Sequence, residues 1–331
     1  MKTSLNLSVE IAGLGTYLPE KTMTNHDLEK MVDTSDEWIT KRTGIKTRRI
    51  AAEGEATSDL AANAATRALE SADMSAEEID AIICCTCSPN YLFPATACLV
   101  QEAIGASNAV GFDLEAACSG FVYGMTQASS MVAAGMADKV LVIGAETLSR
   151  MTDWTDRGSC ILFGDGAGAA VVTNSSKSGT IHYAEAGADG SRPDILMIPA
   201  GGSRNPANHE TVDKGEHYMQ LEGREVFKYA VGKLGELVKR IPEETDKTLD
   251  DIDVIIPHQS NERIIRSVCE RANLSQDKAY MNIDRVGNTS AASVPIALHD
   301  AVEDNSVQRG DLVLLLAFGG GITWGSMLLT Y

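Results

Sequence analysis

The chain has 331 residues, 44% of them hydrophobic, which is enough for a large buried core in two domains or one two-part fold. Its formal net charge of −18 leaves no strongly basic domain to neutralise phosphates, which argues against a nucleic-acid binder while allowing local basic patches for an acidic partner. Seven cysteines, scattered through apolar runs, read as reduced thiols of a cytoplasmic protein, and neither a signal peptide nor a bilayer-spanning stretch is expected.

In chain order, residues 58–71 are alanine-rich with a cap near Ser58 and predict a helix. Residues 79–83 and 109–113 read as strands, and residues 119–134 as a helix that Gly135 stops. The apolar run 140–143 suits a strand buried on both faces. The segment Gly164-Asp165-Gly166-Ala167-Gly168-Ala169 fits a loose G-x-G-x-x-A pattern. Residues 170–174 after it read as a strand, however, where a dinucleotide fingerprint opens a helix. Cys84 and Cys85, with Cys87, lack a second spaced ligand pair; adjacent strand residues face opposite sides, so these thiols read as packing rather than a metal site. Further on, residues 252–256 read as a strand, 260–272 as a helix, 279–283 as strand-like and 312–317 as a second strand buried on both faces.

These elements repeat. Ile79-Asp80-Ala81-Ile82-Ile83 is similar to Ile252-Asp253-Val254-Ile255-Ile256, and Asp138-Lys139-Val140-Leu141-Val142 to Asp311-Leu312-Val313-Leu314-Leu315, at one spacing. Residues 109–113 correspond to 279–283 at nearly the same spacing. The pattern predicts an α/β protein of two duplicated βαβ-containing halves, residues 1–178 and 179–331, sharing one core.

Cys118 falls between a predicted strand and a predicted helix, where the helix amino end favours thiolate, and Ala116, Ala117 and Gly120 leave room for a substrate. Position alone also suits a buried structural cysteine. His258 stands at the carboxyl end of a predicted buried strand, the edge where α/β proteins collect ligand groups. Asn288 is expected after a strand and before a helix, and Phe318-Gly319-Gly320-Gly321 follows another strand with backbone N–H groups free to hold an oxyanion. The duplicated frame is expected to bring all four to equivalent strand ends around one crevice.

With these residues in view, the sequence resembles the thiolase-fold condensing enzymes, and within them the β-ketoacyl-acyl-carrier-protein synthase III family. The resemblance runs nearly end to end. It is carried by Gly15-Thr16-Tyr17-Leu18-Pro19, Asp33-Thr34-Ser35-Asp36-Glu37-Trp38-Ile39, Arg42-Thr43-Gly44-Ile45 and Ala116-Ala117-Cys118-Ser119-Gly120-Phe121. Phe163-Gly164-Asp165-Gly166-Ala167-Gly168-Ala169, Pro257-His258-Gln259, Gly287-Asn288-Thr289-Ser290-Ala291-Ala292-Ser293 and Phe318-Gly319-Gly320-Gly321 complete it. The set Cys-His-Asn separates this branch from thiolases (Cys-His-Cys) and from chain-elongating synthases (Cys-His-His); it is shared with the plant-type polyketide synthases, which are typically longer and lack these flanking motifs.

The resemblance implies a five-layer α-β-α-β-α thiolase-like core and a decarboxylative Claisen condensation of a short acyl-CoA, acetyl-CoA for preference, with malonyl-acyl carrier protein. Cys118 carries the acyl group, the N–H groups of Cys118 and Gly320 form the oxyanion hole, and His258 and Asn288 donate to the malonyl thioester oxygen. Trp38 and Arg157 hold the adenine of coenzyme A, Arg42 a phosphate, and Gly223 lies on the pantetheine path. Arg224 departs from the family's asparagine after that glycine. Arg263, extended by Lys228, Arg266 and Lys233, is implied to dock the acidic carrier. Phe93 is implied to reach across a homodimer interface into the acyl pocket. Coenzyme A enters as substrate, and no metal, other cofactor, nucleic acid or membrane is implied. No role is assigned to the polar loop 201–218, nor is the acyl group itself. The rival readings are a hydrolytic Cys-His-Asn enzyme and a non-catalytic scaffold of the same fold.

Overall fold

The continuous apolar runs of the sequence become the centres of two sheets. The computed structural model describes residues 2–176 and 180–331, so the expected division between residues 178 and 179 lies outside the described residues. Its first part contains β1 (Lys2–Leu7), β2 (Val9–Tyr17), β3 (Lys21–Thr24), α1 (Asn25–Leu28), α2 (Asp36–Thr43), β4 (Thr47–Ile50), α3 (Thr57–Ser71), β5 (Ala81–Cys85) and α4 (Thr96–Ile104). There follow β6 (Val110–Leu114), α5 (Gly120–Ala133), β7 (Lys139–Glu146), β8 (Gly166–Asn174), β9 (Ile181–Ala188), β10 (Leu196–Met197), α6 (His209–Asp213) and β11 (Gln220–Leu221). The chain ends with α7 (Gly223–Glu244), β12 (Val254–Pro257), α8 (Glu262–Ala272), α9 (Ile283–Val286), α10 (Ser293–Glu303), β13 (Leu312–Gly319) and β14 (Thr323–Thr330).

One sheet has the order β2-β8-β7-β5-β6 and the other β1-β9-β14-β13-β12. In the first, β5 runs parallel to β7, which is antiparallel to β8. In the second, β12 runs parallel to β13, which is antiparallel to β14, so the two sheets repeat one plan. The repeat breaks at two places. The opening strand β1 leaves its own half and pairs with β9 on the edge of the second sheet. Residues 279–283, expected to match β6, make one bridge, Ile255 with Ala279, and then turn into the short helix α9. The turn is held by the buried Gln259, whose Oε1 accepts from the Asn282 N–H and diverts the backbone from the ladder.

Alternation of side chains across the sheets divides the core into layers. On the outer face of the first sheet, Ile82, Cys84, Leu141 and Ile143 pack against Leu60, Ala64 and Ala68 of α3 and Val100 of α4. Its inner face, with Ile83, Cys85 and Val142, meets Phe121 and Met125 of α5 and Val294 and Leu298 of α10. The same two helices cover Val313, Leu315 and Ala317 of the second sheet, and Leu314 and Leu316 face Leu234, Val238 and Ile265 of α7 and α8 beyond it. The order helix, sheet, helix, sheet, helix is the five-layer thiolase-like fold. Cys84 and Cys85 thus enter different layers, as strand alternation predicts.

The glycine-rich segment 164–169 leads into β8 rather than a helix, which removes the phosphate-binding geometry of a dinucleotide loop. Helix α3 is capped differently from expectation: Ala56 is the N-cap residue, and the Asp59 carboxylate accepts from its N–H at 2.7 Å. On β7, a Cβ at Gly144 would stand 2.2 Å from the Ala291 carbonyl oxygen. Glycine there lets the turn at residues 290–292 lie directly on the sheet, next to the site described below.

Candidate active site

Strand β6 ends at Leu114, residues 117–119 make one tight turn, and α5 begins at Gly120. Ala117 takes φ 46°, a left-handed conformation that costs a non-glycine residue energy and sets Cys118 at the amino end of α5. The turn is tied from both sides. Ala117 N–H donates to Glu115 Oε1 at 2.9 Å, and the Thr323 hydroxyl donates to the Ala116 carbonyl at 2.8 Å. A Cβ at Gly319 would lie 2.7 Å from Cys118 N, so a glycine is required for the end of β13 to pass this close.

Cys118 is buried, and its ionisation differs from the expectation for a helix amino end. Burial pushes the thiol up to about 12, the Ser290 hydroxyl opposes that, and the nearby Glu146 carboxylate adds to it. Desolvation of the thiolate outweighs the helix end, and the resting thiol is protonated.

His258 follows β12, with its N–H donating to the Leu316 carbonyl of β13 at 2.7 Å. Burial pushes its imidazole down to about 3, so it is neutral near pH 7, and its Nδ1 has no hydrogen-bond partner among the described residues. Asn288 stands after α9 rather than after a strand. Its backbone is held on both sides: its N–H donates to Leu162 O and its carbonyl accepts from Gly164 N–H, each at 2.9 Å. Its side-chain Oδ1 accepts from the Ser290 N–H at 2.9 Å, which leaves the amide NH2 as the group free to donate.

Cys118, His258 and Asn288 line one inner cavity together with Phe163 and Phe318. A second cavity of about 360 Å³, against about 110 Å³ for the first, opens on another side of Cys118 between Cys87, Leu148, Met197, Met219, Ser290 and Gly320. A surface groove lined by Trp38, Arg42, Arg224 and Arg263 shares Leu162, Leu221, Gly223 and Phe227 with the inner cavity. Groove and cavity therefore form one route from solvent to the thiol. The loop 201–218 gains a structural place here. It is flanked by β10 and β11, which pair and contribute Leu196, Met197 and Leu221 to the cavity walls.

At the mouth, the Arg157 and Arg42 guanidinium carbons lie 4.8 and 5.6 Å from the Trp38 ring centroid. Arg157 also donates to the Asp33 carbonyl at 3.0 Å. Arg263 is exposed, 5.7 Å from the Phe227 ring centroid, and Lys228 is exposed on α7. Arg266 is already paired with Glu262 at 2.7 Å. Lys233 pairs with Glu236 and lies 4.5 Å from the Trp324 ring centroid, so its charge is engaged there. Phe93 is 86% exposed and borders neither cavity of its own chain.

Four further residues support the site. Gln259 fastens the His258 loop, donating to Pro257 O at 2.8 Å and Tyr280 O at 3.1 Å. Gly319 allows the close pass at Cys118. Ser290 orients Asn288, and Glu146 is wholly buried at the end of β7. Gln259 and Ser290 lie in motifs whose other members drew attention, and the close approach at Gly319 is the one expected of the glycine run. Glu146 had its own signal, a carboxylate closing an unbroken apolar strand.

Residues 112–190 match the family model of 3-oxoacyl-[acyl-carrier-protein] synthase III, and residues 243–331 match the model of its C-terminal part. The chain is 52% identical over 325 residues to the β-ketoacyl-[acyl-carrier-protein] synthase III of Caldanaerobacter subterraneus subsp. tengcongensis, covering 98% of each protein. It is 48% identical over 327 residues to that of Clostridioides difficile, covering 99% of each. Among solved structures, the 3-oxoacyl-[acyl-carrier-protein] synthase III of Aquifex aeolicus superposes with a TM-score of 0.90 at 47% identity, covering 98% of this chain and 100% of that one. A buried thiol, a neutral histidine and an oriented asparagine at the end of one channel thus occur in a chain aligned over nearly its whole length with such enzymes, and the chain belongs to the β-ketoacyl-[acyl-carrier-protein] synthase III family.

Proposed function

We propose that this protein condenses a short acyl-CoA with malonyl-acyl carrier protein through an acyl-Cys118 intermediate, as an acyltransferase of fatty acid initiation. The observation that carries the reading is the meeting of Cys118, His258 and Asn288 in one cavity at the end of a groove edged by Trp38, Arg42 and Arg263. Cys118 Sγ attacks the thioester carbonyl, the bond to coenzyme A breaks, and the acyl group remains on sulfur. The N–H groups of Cys118 and Gly320 hold the oxyanion of the tetrahedral intermediate. Malonyl thioester then loses CO2, and the electron pair of the broken C–C bond forms an enolate whose oxygen takes hydrogen bonds from His258 and Asn288. The new carbanion attacks the acyl carbonyl and expels the Cys118 thiolate. Decarboxylation supplies the carbanion, so this sequence calls for no strong base, metal or redox cofactor.

In this reading the adenine of coenzyme A parts Arg157 from Trp38, Arg42 meets a phosphate, and the pantetheine arm passes Gly223. Arg224 takes the place of the family's asparagine there. Arg263 and Lys228, exposed beside the groove, receive the acidic carrier, with Arg266 a weaker contributor because Glu262 neutralises it. The acyl group occupies the cavity beyond Cys118. The test is product formation. Acetyl-CoA with malonyl-acyl carrier protein should yield a β-ketoacyl-carrier adduct by mass spectrometry, and free acetate released without the carrier would favour hydrolysis instead.

The protein acts as a homodimer in this reading. Strand β6 is the edge of its sheet, with Val110 60% and Phe112 36% exposed, and Tyr91, Leu92 and Phe93 are exposed as well. An apolar sheet edge of this kind is a template for pairing, and a second copy would cover it and deliver its Phe93 to the neighbouring acyl cavity. Val110→Asp is expected to convert the dimer to a monomer in sedimentation, and a monomeric unaltered protein would refute the dimer. Among the described residues no helix is long and apolar enough to cross a membrane. The seven free cysteines suit the reducing cytoplasm.

A further inference from the structure

A protonated Cys118 needs somewhere to put its proton when it attacks. His258 is a poor acceptor, since burial disfavours its cationic form. On another side of the thiol stands Ser290, which borders the same cavity as Cys118, opposes the effect of burial on its thiol, and lies with its hydroxyl 3.8 Å from Cys87 Sγ. The Cys87 thiol in turn donates to Glu146 Oε1 at 3.3 Å. Cys87, Cys118 and Ser290 all border the cavity beyond the nucleophile.

Glu146 itself is fully buried. Its carboxylate accepts from the Thr86 hydroxyl at 3.1 Å and from the backbone N–H groups of Cys87 and Ser88 at 3.2 and 3.1 Å. The Ser88 hydroxyl and, at 3.4 Å, the Ala291 N–H also donate to it. An ionised carboxylate has only acceptor capacity, so every S–H and O–H along Cys118, Ser290 and Cys87 can point toward it. We propose that Ser290 and Cys87 form a proton path by which buried Glu146 unloads Cys118 during acylation and reloads it after condensation.

The path rests on the acyl-Cys118 reading above. During acylation the Cys118 proton passes to Ser290 Oγ, the Ser290 proton to Cys87 Sγ, and the Cys87 proton to Glu146. Coenzyme A leaves as thiolate and takes its proton from solvent. In condensation the bond from Cys118 to the acyl carbon breaks, and the sulfur regains a proton from Glu146 by the reverse route. One solvent proton is consumed per turnover, the one that leaves on coenzyme A, in balance with the carboxylate lost as CO2. Burial raises Glu146 above the ordinary carboxylate range, which suits a temporary proton store. Among the described residues, the other titratable groups that interact with the path are Cys84 and Cys85 on β5, Asp113 on β6, Glu115 before the nucleophile and His258 after β12, and none of these is a lysine or arginine.

The test is the rate of acyl-Cys118 formation from acetyl-CoA, followed by rapid-quench mass spectrometry from neutral to alkaline pH. Ser290→Ala and Cys87→Ala are expected to slow it by roughly 10²-fold at neutral pH, with the deficit shrinking as hydroxide takes over the proton. Cys87→Ser keeps a relaying hydroxyl and should recover most of the rate. Glu146→Gln should reproduce the loss, and if it fails to fold, the other variants still decide. Acylation at the unaltered rate and pH profile in Ser290→Ala and Cys87→Ala would overturn the path while leaving the acyl-Cys118 reading intact. A deficit independent of pH and not relieved in Cys87→Ser would overturn it as a packing effect. An unaltered protein that forms no adduct would overturn both.

Discussion

Cys118→Ala is expected to lower β-ketoacyl product formation by about 10⁴-fold or more, because the step that stores the acyl group has no substitute. No other cysteine can take over. Cys84 and Cys85 are sealed in the core layers, Cys98, Cys160 and Cys269 border neither cavity, and Cys87, though it borders the acyl cavity, is turned to Glu146. Intact-protein mass after exposure to a panel of acyl-CoAs should show one adduct on the unaltered chain and none on Cys118→Ala, and the adduct mass identifies the primer. Decarboxylation of malonyl-acyl carrier protein should survive the substitution, because its hydrogen-bond donors are His258 and Asn288. Undiminished product formation in Cys118→Ala would end the proposed mechanism.

The complementary loss is expected at those two donors. His258→Ala and Asn288→Ala should each cut malonyl decarboxylation by about 10²- to 10³-fold, the usual cost of one donor aimed at a developing oxyanion. Both should still accept an acyl group on Cys118. The pH dependence follows from burial of the imidazole. His258 titrates near 6.5 in an unfolded chain but is pushed down to about 3 in the folded one. Between those values the unfolded chain binds a proton that the folded chain does not. The stabilisation is thus fully present above 6.5 and lost as pH falls toward 3. His258→Ala removes this term, so its melting temperature should fall less steeply than that of the unaltered protein on acidification through that window. Decarboxylation by the intact protein should show no step near 6.5, and a step there would mean that the imidazolium forms in the folded state.

The parts of the site legible in the sequence are those that depend on local pattern. Residues 140–143 and 312–317 are apolar without interruption because β7 and β13 are covered on both faces, and any such run carries that information on its own. Helices α5 and α8 were visible locally too, the first with its stop at Gly135 and the second as residues 260–272. Residues 279–283 failed the same reasoning. Their pattern matches β6, but Gln259, 23 residues before Asn282, captures the Asn282 N–H and ends the strand after one bridge.

By itself the sequence determined the chemical types at the site, the buried strands of the duplicated frame and the family to which the chain belongs, all of which are written in short contiguous motifs. Only the tertiary structure decided the ionisation of Cys118 and His258, because desolvation depends on every neighbour packed around a group and not on its place along the chain. The same holds for the exchange of β1 into the second sheet and for Glu146, brought against Cys87 and the Ser290 turn from residues far away in sequence. Such contacts form when layers stack, and no local pattern records them.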